Sequence, residues 1–273
     1  MALEANNLTP LTGSELHLDV ADMLSGEHSE EIRDLLDKRG VLVFRDAYLT
    51  DEQLSQFADS IGTLNEEDGE KGLFKVTLEQ QANINAYILY GTRAWHMDRL
   101  DTELPPRGTI LAPRVIAEEG GDTEFANTYA AWADLSDEDK TLIDQLWAVH
   151  YTKGTFRVVE VEEGVDVTAM DVYQVGGRKQ PLVWHHRNGR NSLVLGWTAM
   201  QIDGMDDAEA DKLIRRLLAH AEQDKYVYRH KWRMGDVVVW DNTGTMHRVQ
   251  PYSRDSGRMM HRVTLVGEEP LAA

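Results

Sequence analysis

Two stretches of this chain carry a histidine two positions before an aspartate, His17-Leu-Asp19 and His96-Met-Asp98. Along a strand, residues two apart point to the same side, so either pair could offer one imidazole and one carboxylate to a single ion. Two histidines and one carboxylate on one face of an ion, with the other positions open, form the ligand set of non-haem iron(II) centres that handle O2. The triplet alone does not choose between the two stretches, because with ten histidines and 47 acidic residues about one is expected by chance. Context does choose. His96 follows Trp95 and precedes a Pro105-Pro106 turn and a strand, whereas His17 lies near the chain start in a plain alternating segment that reads as a surface strand. A third ligand is available at His247, which follows the apolar run Val237-Val-Val-Trp240 and a turn through Asp241 and Asn242. The plain alternative there is a turn followed by a hydrogen-bonded histidine.

Arg258 and Arg262 follow His247 and are four positions apart. If they share a strand, the even separation puts both on one face. An acidic protein that turns two arginines inward needs a buried anion, and the planar guanidinium fork suits a carboxylate. Two surface charges are the alternative, although Met259-Met260 and Val263-Thr-Leu-Val disfavour a wholly exposed strand. O2 chemistry also needs electrons. The chain has no Gly-X-Gly-X-X-Gly fingerprint for a dinucleotide and no cysteine for an iron–sulfur cluster. A cosubstrate that supplies the electrons itself, as 2-oxoglutarate does by oxidative decarboxylation, answers that need and gives an inward arginine a purpose.

The elements that must position these residues are read from periodicity. Ser29-Glu-Glu-Ile-Arg-Asp-Leu-Leu reads as an N-capped helix ending near Gly40, and Val41-Leu-Val-Phe44 as a buried strand. Thr50 with Gln53 forms a capping box that opens a helix with Leu54, Phe57, Ala58 and Ile61 on one face, stopped by Gly62. Residues 65–72 read as an acidic loop, and Ile84 to Tyr90 and Gly108 to Ala112 as strands. Ser136 to Val149 repeats the helical pattern through Leu142, Ile143 and Leu146, and residues 150–190 read as irregular. Asp206 to Gln223 is an amphipathic helix; Tyr226 to Arg233, Val237 to Trp240 and Val263 to Val266 are strands. Strands surround the candidate site, and helices occupy the start and the connections. The expected class is α+β, mainly β, with a jelly-roll core flanked by helices, in one domain over residues 1–273.

Composition narrows the function further. A net charge of −19 argues against nucleic acid and anionic membrane surfaces, and says little about a small anionic substrate. The absence of cysteine excludes disulfides, Cys-ligated zinc and a Cys nucleophile. Met1 to Val20 lacks a basic segment followed by an apolar run, and no stretch approaches the roughly 20 apolar residues of a membrane span. The expected setting is the cytoplasm.

With these residues in view, the sequence resembles the taurine dioxygenase and 2,4-dichlorophenoxyacetate dioxygenase (TauD/TfdA) family of iron(II)/2-oxoglutarate oxygenases. The resemblance runs from about Gly40 to Pro270. It rests on Trp95-His-Met-Asp98, on Gly120-Gly-Asp-Thr123 followed by Tyr129-Ala-Ala-Trp132, and on Trp240-Asp-Asn, His247, Arg258 and His261-Arg262. It implies a double-stranded β-helix (cupin-like) fold, with Fe(2+) on His96, Asp98 and His247, and with 2-oxoglutarate and O2 as cosubstrates. It further implies that Arg258 and Thr123 hold the distal carboxylate of 2-oxoglutarate. Arg262 would lie near its other carboxylate and the acid group of the primary substrate, and Trp240 would be an aromatic beside the cosubstrate. Two departures bear on the substrate. Glu67 falls where taurine-type enzymes carry a sulfonate-binding histidine, and Arg99 follows the His-X-Asp where the family has a small or apolar residue.

The sequence therefore points to hydroxylation of a small organic acid, an aryloxyalkanoate or another hydrophobic carboxylate rather than taurine, with release of succinate and CO2. Arg262, Arg99 and Glu67 are the candidate substrate residues. A zinc hydrolase on the same three ligands and a non-catalytic β-barrel binder are the rival readings. Nucleic-acid and membrane partners are not expected, and the choice between a monomer and a homo-oligomer of two or four chains stays open.

Overall fold

The computed structural model describes residues 3–66, 72–79, 89, 92–157, 164 and 176–271. In chain order the strands are β1 (Ala5–Asn7), β2 (Ser14–Leu16), β3 (Val41–Phe44), β4 (Phe74–Thr77), β5 (Gly108–Val115), β6 (Thr123–Asn127), β7 (Trp147–His150), β8 (Arg178–Pro181), β9 (Val183–His185), β10 (Asn191–Leu193), β11 (Ala199–Ile202), β12 (Val227–His230), β13 (Val237–Asp241), β14 (Thr245–Val249) and β15 (Met259–Leu265). The helices are α1 (Val20–Ser25), α2 (Ser29–Arg39), α3 (Asp51–Ile61), α4 (Thr128–Ala133), α5 (Asp137–Ile143) and α6 (Asp207–Ala221).

Every residue of β13 is buried. A strand with no polar alternation must be covered on both faces, and β13 is. Val237 and Val239 pack with Leu54, Phe57 and Ile61 of α3. Val238 and Trp240 point the other way, into a cluster with Phe125 of β6 and Tyr228 of β12. β13 pairs antiparallel with β3 on one edge and β5 on the other. It is thus the middle of a seven-stranded sheet ordered β1-β2-β3-β13-β5-β15-β4, in which β2 and β3 run parallel. A second sheet, β12-β6-β14, covers its inner face. The far side of that second sheet, through Ala126 and Met246, packs on α4, α6 and the short strands β7 and β9 to β11. The protein is mainly β-sheet with flanking helices, and the site residues converge between the two sheets.

Helix ends follow local chemistry with some corrections. α3 opens on the expected Thr50–Gln53 capping box. α2 begins at Ser29 itself; the cap position is His28, which makes no side-chain cap bond. Gly40, at φ 71°, closes that helix by donating to the Leu36 carbonyl, a left-handed turn that suits glycine. The helix expected over Ser136 to Val149 ends at Ile143, Leu142 is 49% exposed, and β7 starts at Trp147. Pairing of Trp147–His150 with β8 and β11 overrides the helical periodicity there. β8 and β9 also lie in the stretch read as irregular. β5 runs on to Val115, β15 starts earlier than expected, at Met259, and β12 is confined to Val227–His230. Apart from Leu89, the strand expected at Ile84 to Tyr90 lies outside the described residues, and so do most of residues 158–175. Among the described residues, no helix is long and apolar enough to cross a membrane.

Candidate metal and cosubstrate site

His96 is joined to β14 by a two-bond antiparallel bridge: its N–H donates to the His247 carbonyl at 3.1 Å, and the His247 N–H donates back at 2.8 Å. The two rings lie 4.2 Å apart, centroid to centroid. Two residues on, Asp98 falls on the same side, while Met97 turns into the apolar core. Asp98 Oδ1 is 3.8 Å from Nε2 of His96 and 3.8 Å from Nε2 of His247. The three ligand atoms all lie within 4.8 Å of one another.

The protonation states suit a cation. His96 Nδ1 is 2.7 Å from the Ala94 carbonyl. A carbonyl only accepts, so Nδ1 carries a proton, and Nε2 is the atom that faces Asp98. Burial pushes the His247 imidazole down to about 3, so it is neutral. Burial alone would raise Asp98, but the Arg262 guanidinium and the Thr109 hydroxyl help hold it below the usual carboxylate range. A neutral His247 ring and an ionised Asp98 carboxylate are forms that a metal requires.

The loop after β13 sets the aspartate. The Asn242 side chain accepts from the Asp98 N–H at 2.8 Å and donates to the Asp98 carbonyl at 3.0 Å. Thr109 of β5 donates to Asp98 Oδ2 at 3.2 Å. Asp241, fully buried, accepts from Arg107 at 2.6 Å, from the Thr243 hydroxyl at 2.6 Å and from Tyr129 at 3.1 Å. The sequence marks Asp241 and Asn242 only as a turn, and it holds no local signal for Thr109, which reaches Asp98 through the register of β5 on β13.

Arg258 is 5% exposed. It donates to the Gly121 carbonyl at 3.2 Å and lies 4.8 Å over the Tyr252 ring. A Cβ on Gly121, at φ 73°, would stand 2.9 Å from Arg258 Nε, so both the conformation and the space call for glycine. Thr123 opens β6 and accepts from Trp232 Nε1 at 3.0 Å. On the same face of β6, Phe125 stands opposite His247, and Trp240 lies 4.8 Å from the His247 ring. Arg262 shares the inward parity of Met260 on β15, sits over Phe74 at 4.8 Å, and acts electrostatically on Asp98 and His247.

A cavity of about 310 Å³ is lined by His96, Asp98 and Arg262 and by the apolar Phe74, Met97 and Leu100. Arg99, at φ 57°, lines it too and also borders an open surface groove, with Nε 3.2 Å from Asp101. Glu67 lies outside the described residues. The other His-X-Asp takes no part: exposed His17 reaches Asn6 at 2.8 Å, and Asp19 caps α1.

Residues 4–264 match the model of the family described as taurine catabolism dioxygenase TauD, TfdA family. The chain belongs to the TauD, TfdA dioxygenase family. The dioxygenase is 30% identical to the alpha-ketoglutarate-dependent 2,4-dichlorophenoxyacetate dioxygenase of Cupriavidus pinatubonensis, over 98% of this chain and 99% of the relative. It is 28% identical to the alpha-ketoglutarate-dependent sulfate ester dioxygenase of Pseudomonas putida, over 99% of this chain and 92% of the relative. Among solved structures it superposes on AAD-2 in complex with Mn(II) and N-oxalylglycine with a TM-score of 0.84, at 32% identity and over 100% of both chains. This dioxygenase is thus an oxidoreductase of the 2-oxoglutarate-dependent type.

Proposed function

We propose that this dioxygenase holds iron(II) through His96, Asp98 and His247, with 2-oxoglutarate beside it. Its substrate would be a small organic acid with an apolar body, an aryloxyalkanoate or another hydrophobic carboxylate, which it hydroxylates. The observation that carries the reading is the cluster of three ligand atoms within 4.8 Å of one another, with His96 and Asp98 on the wall of a cavity. When bound, the iron supplies O2 activation coupled to decarboxylation of the keto acid, which yields succinate, CO2 and hydroxylated substrate.

The rest falls to the chain. Arg258 and Thr123 hold the distal carboxylate of 2-oxoglutarate, with Trp240 alongside. Arg258 is buried and pairs with no carboxylate among the described residues, so a ligand carboxylate would complete its environment. Arg262 takes the acid group of the primary substrate, while Phe74 and Leu100 hold its body and exclude water. Arg99 adds positive charge at the cavity mouth. Asp98 fills the coordination position a halide would need, so the product is an alcohol rather than a halide. The relatives named for 2,4-dichlorophenoxyacetate and for sulfate esters support an anion on an organic body. Glu67, where a sulfonate-binding histidine would stand, disfavours taurine. We read the two facing sheets as a double-stranded β-helix forming one domain.

The test is succinate release by purified enzyme with iron(II), 2-oxoglutarate and matched carboxylates, amides and sulfonates. Carboxylates should drive succinate release, and Arg262→Ala should weaken them selectively. Equal turnover of neutral amides, with Arg262→Ala affecting both alike, removes the anionic substrate. No succinate with any compound, alongside zinc-dependent hydrolysis, removes the oxygenase reading.

A further inference from the structure

One imidazole in the cavity has no part in the chemistry above. His150 ends β7, is 3% exposed, and lines the same cavity as His96, Asp98 and Arg262. Ala148 and His150 are the buried residues of β7, and Trp147 and Val149 alternate with them, so the ring turns toward the interior. His150 Nδ1 is 2.8 Å from the Thr198 hydroxyl, and Nε2 is buried with no hydrogen-bond partner among the described residues.

Thr198 is fixed on both sides. Trp197 N–H donates to the Trp95 carbonyl at 2.8 Å, and a Cβ on Gly196, at φ 147°, would stand 3.1 Å from His96 Cα. On the other side, Tyr151 N–H donates to the Thr198 carbonyl at 2.7 Å. The pair is held backbone to backbone between the His96 segment and the end of β7. Burial pushes the His150 imidazole down to about 3, so it is neutral, with one donor and one acceptor nitrogen. Among the described residues His150 Nδ1 is the acceptor within reach of the Thr198 hydroxyl. With the threonine donating, the ring proton sits on Nε2. A buried N–H without an acceptor is costly, and a ligand oxygen would remove that cost.

We propose that His150, positioned by Thr198, is a specificity-determining residue that donates from Nε2 to an uncharged acceptor in the body of the primary substrate, an ether or carbonyl oxygen. Arg262 meanwhile holds the acid group. This rests on the reading of the cavity as the substrate site.

The probes are phenoxyacetate and its methylene isostere 3-phenylpropionate. Their affinities are measured by calorimetry on enzyme loaded with Mn(II) and N-oxalylglycine, and their turnover by succinate release with iron(II) and 2-oxoglutarate. The native enzyme should prefer the ether by about tenfold, the scale expected when an isostere leaves a buried donor unpaired. His150→Phe should bring the two acids within about twofold of each other, His150→Gln should keep most of the preference, and Thr198→Val should narrow it. Arg262→Ala should weaken both acids alike and leave their ratio unchanged. Equal affinity for the two acids in the native enzyme overturns the proposal and leaves the oxygenase reading standing. So does a preference that survives in His150→Phe or, should that variant not fold, in Thr198→Val. Failure of both acids to bind the native enzyme overturns the reading of the cavity and this proposal with it.

Discussion

His247 is buried, with a neutral ring facing Asp98, whereas His17 is exposed and hydrogen-bonded to Asn6. His247→Ala should therefore abolish binding of one equivalent of iron(II), and His17→Ala should leave it unchanged; equal loss in a metal titration of the two variants contradicts the assignment. Arg258 invites a second substitution. A buried guanidinium deprived of its anion, or an anion deprived of it, costs about 3–5 kcal/mol. Arg258→Gln should accordingly raise the 2-oxoglutarate requirement by about two orders of magnitude or more, while affinity for the primary substrate at saturating cosubstrate changes far less. Initial rates across a 2-oxoglutarate series check this. The clustering of His96, Asp98 and His247 and the shared parity of Arg258 and Arg262 were legible in the sequence because residues an even number apart on a strand share a face. Thr109 and His150 were not. A threonine or a histidine inside a strand has no local mark, and its role depends on which strand lies beside it.

The turn between β13 and β14 acts as one unit. Asn242 bridges to both backbone groups of Asp98 and to the Pro106 carbonyl at 3.2 Å, and Asp241 gathers Arg107, Thr243 and Tyr129. Asn242→Ala leaves the Asp98 N–H without its acceptor, a loss of about 1–3 kcal/mol of stability. Loosening the support of a ligand should also lower metal affinity by about 10- to 100-fold. Manganese titration and chemical denaturation of the same variant separate the two effects, and unchanged metal affinity would confine Asn242 to stability. At this scale the chain was legible where an element's own residues decide it. The capping box of α3 and the unbroken apolar run of β13 are such cases. Reading failed where a neighbour decides. Leu142, Ile143 and Leu146 have helical spacing, yet Trp147–His150 is drawn into a strand by β8 and β11. β8 and β9 carry too little apolar pattern to announce themselves without their partners.

Buried histidines tie the stability of the whole molecule to pH. Burial takes His150 down to about 3. Burial also takes His186 to about 4, with Asp241 opposing the shift and Arg107, Arg190 and His185 adding to it; Glu269 stands 3.8 Å away. Both are neutral when folded and regain an ordinary pKa near 6.5 when unfolded. The unfolded chain therefore binds more protons below that value, and stability falls as pH falls. Between pH 7 and 5.5 these two should remove about 2–3 kcal/mol, and His247, likewise held down by burial, adds to the loss in the metal-free protein, measurable as a lower denaturation midpoint. His150→Gln should flatten the dependence, and a midpoint constant across that window contradicts it. The position of β13 also governs when the molecule can form at all. Its partners β3 and β5 lie some 130 to 200 positions earlier in the chain, so the middle of the main sheet is synthesised long after both of them. Until then both partners have an unsatisfied edge, and α3 has only part of its apolar floor. Contacts of such long sequence separation make folding slow and expose strand edges to association with other chains. The same delay keeps His96 and Asp98 apart from His247 until residue 247 has been made, so a growing chain cannot assemble all three ligand residues before then.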